Sequence, residues 1–154
     1  GKILQVVMGS SAYSFTTSSA SYVDVEQSSG VAWETAITPS ATSSKILLSF
    51  NPSVTMLQSG ASAARGTIKV LEKIGAGAYD DPSAGAVELL TMVGGYDYGA
   101  SGVQIRLRPV WEFLSSTNTT DECKYKIQVE TSGGTSATIN GGELSTVILL
   151  EVGA

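Results

Sequence analysis

Carboxylates and tyrosines offer most of the chemistry this chain could do. Asp80-Asp81, Asp97 and Asp121-Glu122 lie in polar, turn-like stretches. Glycoside hydrolysis needs only two carboxylates, one to protonate the leaving oxygen and one to act as base or nucleophile. Nothing in their spacing brings two of these groups together, and adjacent carboxylates in turns ordinarily serve as solvated turn formers. Asp80, Asp81 and Asp97 also carry the hard oxygens that suit Ca²⁺, but the calcium-loop spacing is missing, so no metal site is expected. Histidine is absent, which removes the commonest general base and metal ligand. Serines abound, but none has a patterned base partner and no G-x-S-x-G occurs. Cys123 falls on the inward face of a strand by alternation and reads as a buried, inert thiol. No cofactor motif is present, and the chain reads as non-enzymatic.

A second chemistry is recognition. The stretch Gly94-Gly95-Tyr96-Asp97-Tyr98-Gly99 puts two rings and a carboxylate on a glycine-rich loop, with Tyr79 upstream. Rings can stack on the apolar faces of sugars, and carboxylates accept sugar hydroxyls. Tyr79, Tyr96, Asp97 and Tyr98 are therefore candidate glycan contacts of a lectin-like module. The competing reading has these rings cover a core edge or fill a subunit interface. Asn118-Thr119-Thr120 matches the glycosylation sequon, which matters only in a eukaryotic secretory route.

The elements that position these residues are strands. Charged residues make up 15% of the 154, and the balance goes into 22 Ser, 15 Thr and 17 Gly. These small residues fall between apolar runs, the habit of short strands joined by polar turns. Cys123–Thr131 alternates strictly: Cys123, Tyr125, Ile127 and Val129 share one face, and Lys124, Lys126, Gln128 and Glu130 the other. Val103–Leu114 alternates similarly, with Pro109 marking an edge or bulge. Val31–Ile37 and Arg65–Lys73 are further strands, and 86–93 is read as a strand in preference to a helix capped by Asp81-Pro82. Turn signals recur, among them Ser28-Ser29-Gly30, Gly75-Ala76-Gly77 and Asn140-Gly141-Gly142. The expected fold is all-β: one antiparallel, jelly-roll-like sandwich of about eight or nine short strands over residues 1–154.

Three runs, Ile3–Met8, Ile46–Phe50 and Thr146–Val152, are apolar on both faces. One face would enter the core and the other would need a further cover, for which a second copy of the chain is the preferred candidate over a loop. Leu4, Val6, Leu47, Val147 and Leu149 are the residues assigned to that oligomer interface. In Ile37-Thr38-Pro39-Ser40, Pro39 ends a strand, Ser40–Ser44 turn the chain, and Ile46, Leu48 and Phe50 then face inward.

The net charge of −5 and the absence of a basic cluster argue against nucleic-acid binding. No apolar run is long enough to suggest membrane insertion by a helix, and Ile3–Met8 is too short for a signal peptide.

Three segments resemble a known family. Gly1-Lys2-Ile3-Leu4-Gln5-Val6-Val7, Ala20-Ser21-Tyr22-Val23-Asp24-Val25, and Ile37-Thr38-Pro39 with Ser43-Ser44-Lys45-Ile46-Leu47 occur in the order seen in small β domains of tailed bacteriophages, marine and cyanobacterial ones above all. Tyr125-Lys126-Ile127-Gln128, Thr138-Ile139-Asn140 and Ser145-Thr146-Val147-Ile148-Leu149 fit the later part of the same pattern. The middle, 58–102, departs from it. The resemblance implies a virion structural protein: a homotrimeric knob of a tail fibre, spike or capsid decoration. Such a knob is displayed on the virion exterior beside other virion proteins, can contact a host-surface glycan, and can be the terminal module of a longer fibre protein.

Overall fold

The computed structural model describes residues 1–58, 64–82, 88–94, 104–132 and 135–153. Among them the backbone forms strands and turns and no helix. In chain order the strands are β1 (Ile3–Ser11), β2 (Phe15–Thr17), β3 (Val23–Asp24), β4 (Glu26–Ser28), β5 (Val31–Ala32), β6 (Glu34–Ile37), β7 (Lys45–Asn51) and β8 (Val54–Gln58). They continue with β9 (Ala64–Ile74), β10 (Glu88–Gly94), β11 (Gln104–Leu107), β12 (Trp111–Ser115), β13 (Cys123–Ser132), β14 (Thr135–Ile139) and β15 (Ser145–Val152).

Two sheets carry the architecture. The first has the order β1-β15-β7-β12, and the second runs β10-β9-β13, with β3 and β6 sharing the far edge of β13. All of these pairs are antiparallel. Along the chain, β1, β7, β12 and β15 enter the first sheet, while β6, β9, β10 and β13 enter the second. Such a wrap of eight strands between two sheets is the jelly roll, and it explains why about eight strands were legible as strands. The remaining segments are short additions. A third sheet, β11-β8-β14-β2, contributes Val54, Met56, Ala137 and Ile139 to the same core.

The core follows from alternation. Ile46, Leu48 and Phe50 of β7, Val147 and Leu149 of β15, and Cys123, Tyr125, Ile127 and Val129 of β13 are all buried. Trp33 meets Phe50 edge-to-face, with ring centroids 5.8 Å apart. Each fully buried side chain of this size contributes about 1.5–3 kcal/mol relative to exposure.

Two expectations are corrected. Val103–Leu114 is not one strand: β11 pairs with β8 and β12 with β7, in different sheets, and Pro109 lies in the link where no ladder bond is needed. Val31–Ile37 divides at Trp33, whose amide donates to Val25 O at 2.7 Å while its ring enters the core. The segment 86–93 is strand from Glu88 onward, and 83–87 lie outside the described residues. Gly30, Gly75 and Gly142 take positive φ at three of the expected turns, a conformation open to glycine without steric cost.

Candidate functional site

The two outer faces of the sandwich differ in chemistry. On the first sheet, the register places Val6 of β1 beside Leu150 of β15, Leu150 beside Leu47 of β7, and Leu47 beside Leu114 of β12. Cross-strand partners point to the same side. Because Ile46, Leu48 and Leu149 point into the core, this row points out. It crosses all four strands, roughly 14 Å at the usual strand spacing. Met8 and Ile148 stand in the next row. Val6 is 60% exposed, Met8 67% and Leu114 43%. Leu4, also exposed, sits at a register shift between Ile3 and Gln5.

Of the five residues assigned from the sequence to an interface, Leu4 is exposed at the register shift, and Val6 and Leu47 lie on this outer side. Val147 and Leu149 do not: both are core residues of β15, and the outward positions are Ile148 and Leu150. The run Thr146–Val152 is apolar at consecutive positions, so its pattern does not say which set faces inward. The inward set also includes a carboxylate. Glu151 is 1% exposed and accepts bonds on Oε1 from the Ser40 amide at 2.7 Å and the Ser40 hydroxyl at 2.6 Å. Burial pushes its pKa up, but donation from the Ser40 hydroxyl and amide outweighs that, and the net direction is down.

On the second sheet the outer face is polar. Asp24 of β3 accepts from Gln128 Nε2 at 2.7 Å on Oδ1 and from Lys126 Nζ at 2.8 Å on Oδ2. Lys126 also lies over the Tyr79 ring, 4.3 Å from its centroid, and Lys69 lies 4.5 Å over that of Tyr22. These are cation–π contacts with the amine on the ring face. Burial, with a carboxylate contribution from Glu34, raises the Tyr79 hydroxyl well above the ordinary tyrosine value. Tyr79 thus packs half-buried against the sheet under lysines. Tyr96, Asp97 and Tyr98 lie outside the described residues.

Beside Asp24 an open cleft of about 620 Å³ is walled by β2, β3 and the β4–β5 ribbon. Its lining includes Phe15, Thr16, Tyr22, Asp24, Glu26 and Gln128. Sequence reasoning missed it, because Asp24 and Gln128 are 104 residues apart and only the β3–β13 register makes them neighbours.

The carboxylates first considered for catalysis are placed differently. Asp80 exchanges both backbone hydrogen bonds with Glu72 at 2.9 Å, and its Oδ1 accepts the Asp81 amide at 2.8 Å. Asp80, Asp81, Asp121 and Glu122 are exposed. Among the described residues no group of three His, Cys, Asp or Glu is placed to hold a metal ion. A buried carboxylate does occur at Glu72, which accepts from Ser115 Oγ and Tyr125 OH, each at 2.7 Å. It joins the two sheets from inside and is closed to solvent. Burial pushes the Cys123 thiol up to about 11, which keeps it protonated. Asn118 of the sequon is exposed, adopts positive φ and donates to Ser116 O at 3.3 Å.

No protein-family model matches the chain, and no curated protein does. Among solved structures, that of infectious bursal disease virus Gx strain is 16% identical, with 99% of this chain and 39% of that chain covered and a TM-score of 0.31. The T13 particle of the same virus is 13% identical, with 99% and 36% covered and a TM-score of 0.38. Its VP2 subviral particle is 16% identical, with 97% and 38% covered and a TM-score of 0.33. The likeness is remote, and the chain spans under two fifths of each of these proteins.

Proposed function

We propose that this protein is a non-enzymatic structural subunit of a virion, which buries the outer face of its first sheet against copies of itself and displays its second sheet. The observation that carries this reading is the row Val6, Leu150, Leu47 and Leu114, apolar from one edge of the sheet to the other. Val6 and Leu114 are exposed, with Leu150 and Leu47 half-buried between them. A contiguous apolar surface of this kind marks an interaction site, whereas scattered apolar residues do not. The opposite face, with Lys126, Asp24, Gln128 and two lysine-covered rings, suits contact with water.

The virion context is supported by two further points, both by analogy. The two-sheet, eight-strand wrap is an architecture that viral capsid proteins and lectins use repeatedly, although a fold does not by itself define a function. The segments around Ile3–Val7, Tyr22–Val25 and Ile37–Leu47 resemble surface modules of tailed-phage virions. Within that reading the subunit is a homotrimer on the virion exterior, in a tail fibre, spike or capsid decoration, beside other virion proteins and able to touch the host surface.

Light scattering coupled to size exclusion tests the assembly. The expected mass is three times the 15.9 kDa of one chain. A Val6→Asp, Leu114→Asp double variant should elute as a folded monomer. A wild-type monomer that persists at high concentration would overturn the reading.

A further inference from the structure

We propose that the cleft between β2, β3 and the β4–β5 ribbon is a binding site for a neutral saccharide. It lies on the side of the second sheet, away from the proposed assembly face.

The chemistry of the lining is specific. Both oxygens of Asp24 are already held, one by Gln128 Nε2 and one by Lys126 Nζ, so the carboxylate is fixed in direction. Each oxygen retains further accepting capacity. The bond from its Nε2 to Asp24 also orients the Gln128 amide, whose Oε1 is an acceptor. Glu26 adds a third acceptor and has no side-chain hydrogen bond among the described residues. Thr16 shares its hydroxyl with Thr138 at 2.8 Å, leaving a hydroxyl pair that both donates and accepts. Such a wall asks for a ligand rich in donors. Tyr22 and Phe15 supply ring surface beside it, and Lys69 pins the Tyr22 ring in place.

A sugar meets these requirements together, because it presents several hydroxyl donors on one side of an apolar ring. An anionic saccharide fits less well: the Lys126 ammonium balances Asp24, but Glu26 stays in the wall of a chain of net charge −5. The volume of about 620 Å³ falls within the range of small-molecule clefts and leaves room for more than one sugar ring. The preformed geometry also limits the ordering cost, because Asp24, Gln128 and Tyr22 are held before any ligand arrives.

The test is a nitrogen-edited NMR titration of the whole chain with three neutral trisaccharides (maltotriose, cellotriose and chitotriose). Trigalacturonate and trilysine serve as the anionic and cationic comparisons. At least one neutral sugar should shift the amides of Thr16, Tyr22, Asp24, Glu26 and Gln128 with a Kd of about 1 mM or tighter. Trigalacturonate should bind at least about tenfold more weakly. Gln128→Ala and Glu26→Ala should each weaken binding by about fivefold or more while the amide spectrum elsewhere stays that of the folded protein. Absence of shifts with all three neutral sugars would overturn the proposal. So would shifts confined to residues outside the cleft, equal binding of trigalacturonate, or tighter binding of trilysine. None of these outcomes bears on the assembly reading, which is decided by mass.

Discussion

Ser40 gives both of its donors, amide and hydroxyl, to the same oxygen of Glu151. The two residues lie 111 positions apart, one in the turn after β6 and the other near the end of β15. The bond pair therefore ties the crossover between the sheets to the last strand. A buried carboxylate without such donors would cost several kcal/mol, so the turn residue is part of what makes an inward Glu151 tolerable. Ser40→Ala removes the hydroxyl and keeps the amide. It should lower the stability by about 1–2 kcal/mol in urea titration, with little change in the slope against denaturant.

The same pair sets an acid limit. The folded pKa of Glu151 lies below its ordinary value of 4.5. A carboxylate depressed on folding contributes stability that is present above the unfolded pKa and is lost as pH falls through the folded one. The melting temperature should therefore drop below about pH 4.5, and Glu151→Gln should flatten that part of the curve while lowering stability near neutrality. Thermal melts of both proteins from neutral to acid pH check the sign.

Leu149 and Leu150 are neighbours in sequence with opposite fates. Leu149 is fully buried in the core, and Leu150 belongs to the outward row. Leu149→Ala should cost about 2–5 kcal/mol of stability through lost burial and a residual cavity. Leu150→Asp should leave the fold of the single chain near wild type and reduce self-association. Melting and light scattering on the two variants separate the effects.

This pair also shows what the sequence could and could not say. In Cys123–Val129 each outward position is Lys or Gln, so alternation reveals both the strand and its inward side. In Thr146–Val152 both sides are apolar, and the polar Glu151 faces inward, so composition points the wrong way. Pattern alone identified the strand and misassigned Val147 and Leu149. The cleft was harder still, since Tyr22, Asp24, Glu26 and Gln128 become one surface only through the β3–β13 pairing and the β4–β5 ribbon. No short-range spacing encodes that.

Glu72 offers a second test of buried polar closure. Its partners Tyr125 and Ser115 come from its own sheet and from the facing one. Tyr125→Phe keeps the ring in the core and deletes one donor, which should cost about 1–3 kcal/mol because a buried carboxylate loses a bond. Ser115→Ala should cost a similar amount. The double variant should depart from additivity, since both donors serve one oxygen, Oε1, and a double-mutant cycle in urea would measure that coupling.

Cys123 reports on the whole core. Its side chain is fully buried in β13, and its Sγ lies 3.5 Å from Asp121 O. Burial raises the thiol to about 11, so at pH 8 the reactive thiolate is scarce even before access is considered. Both factors vanish on unfolding. A disulfide reagent at pH 8 should therefore label the native protein at least about a hundredfold more slowly than the denatured chain, with a rate that tracks opening of the β9–β13–β6 region. Leu149→Ala should accelerate labelling in proportion to its loss of stability if opening is global. Rapid labelling of the native wild-type chain would contradict the burial of Cys123.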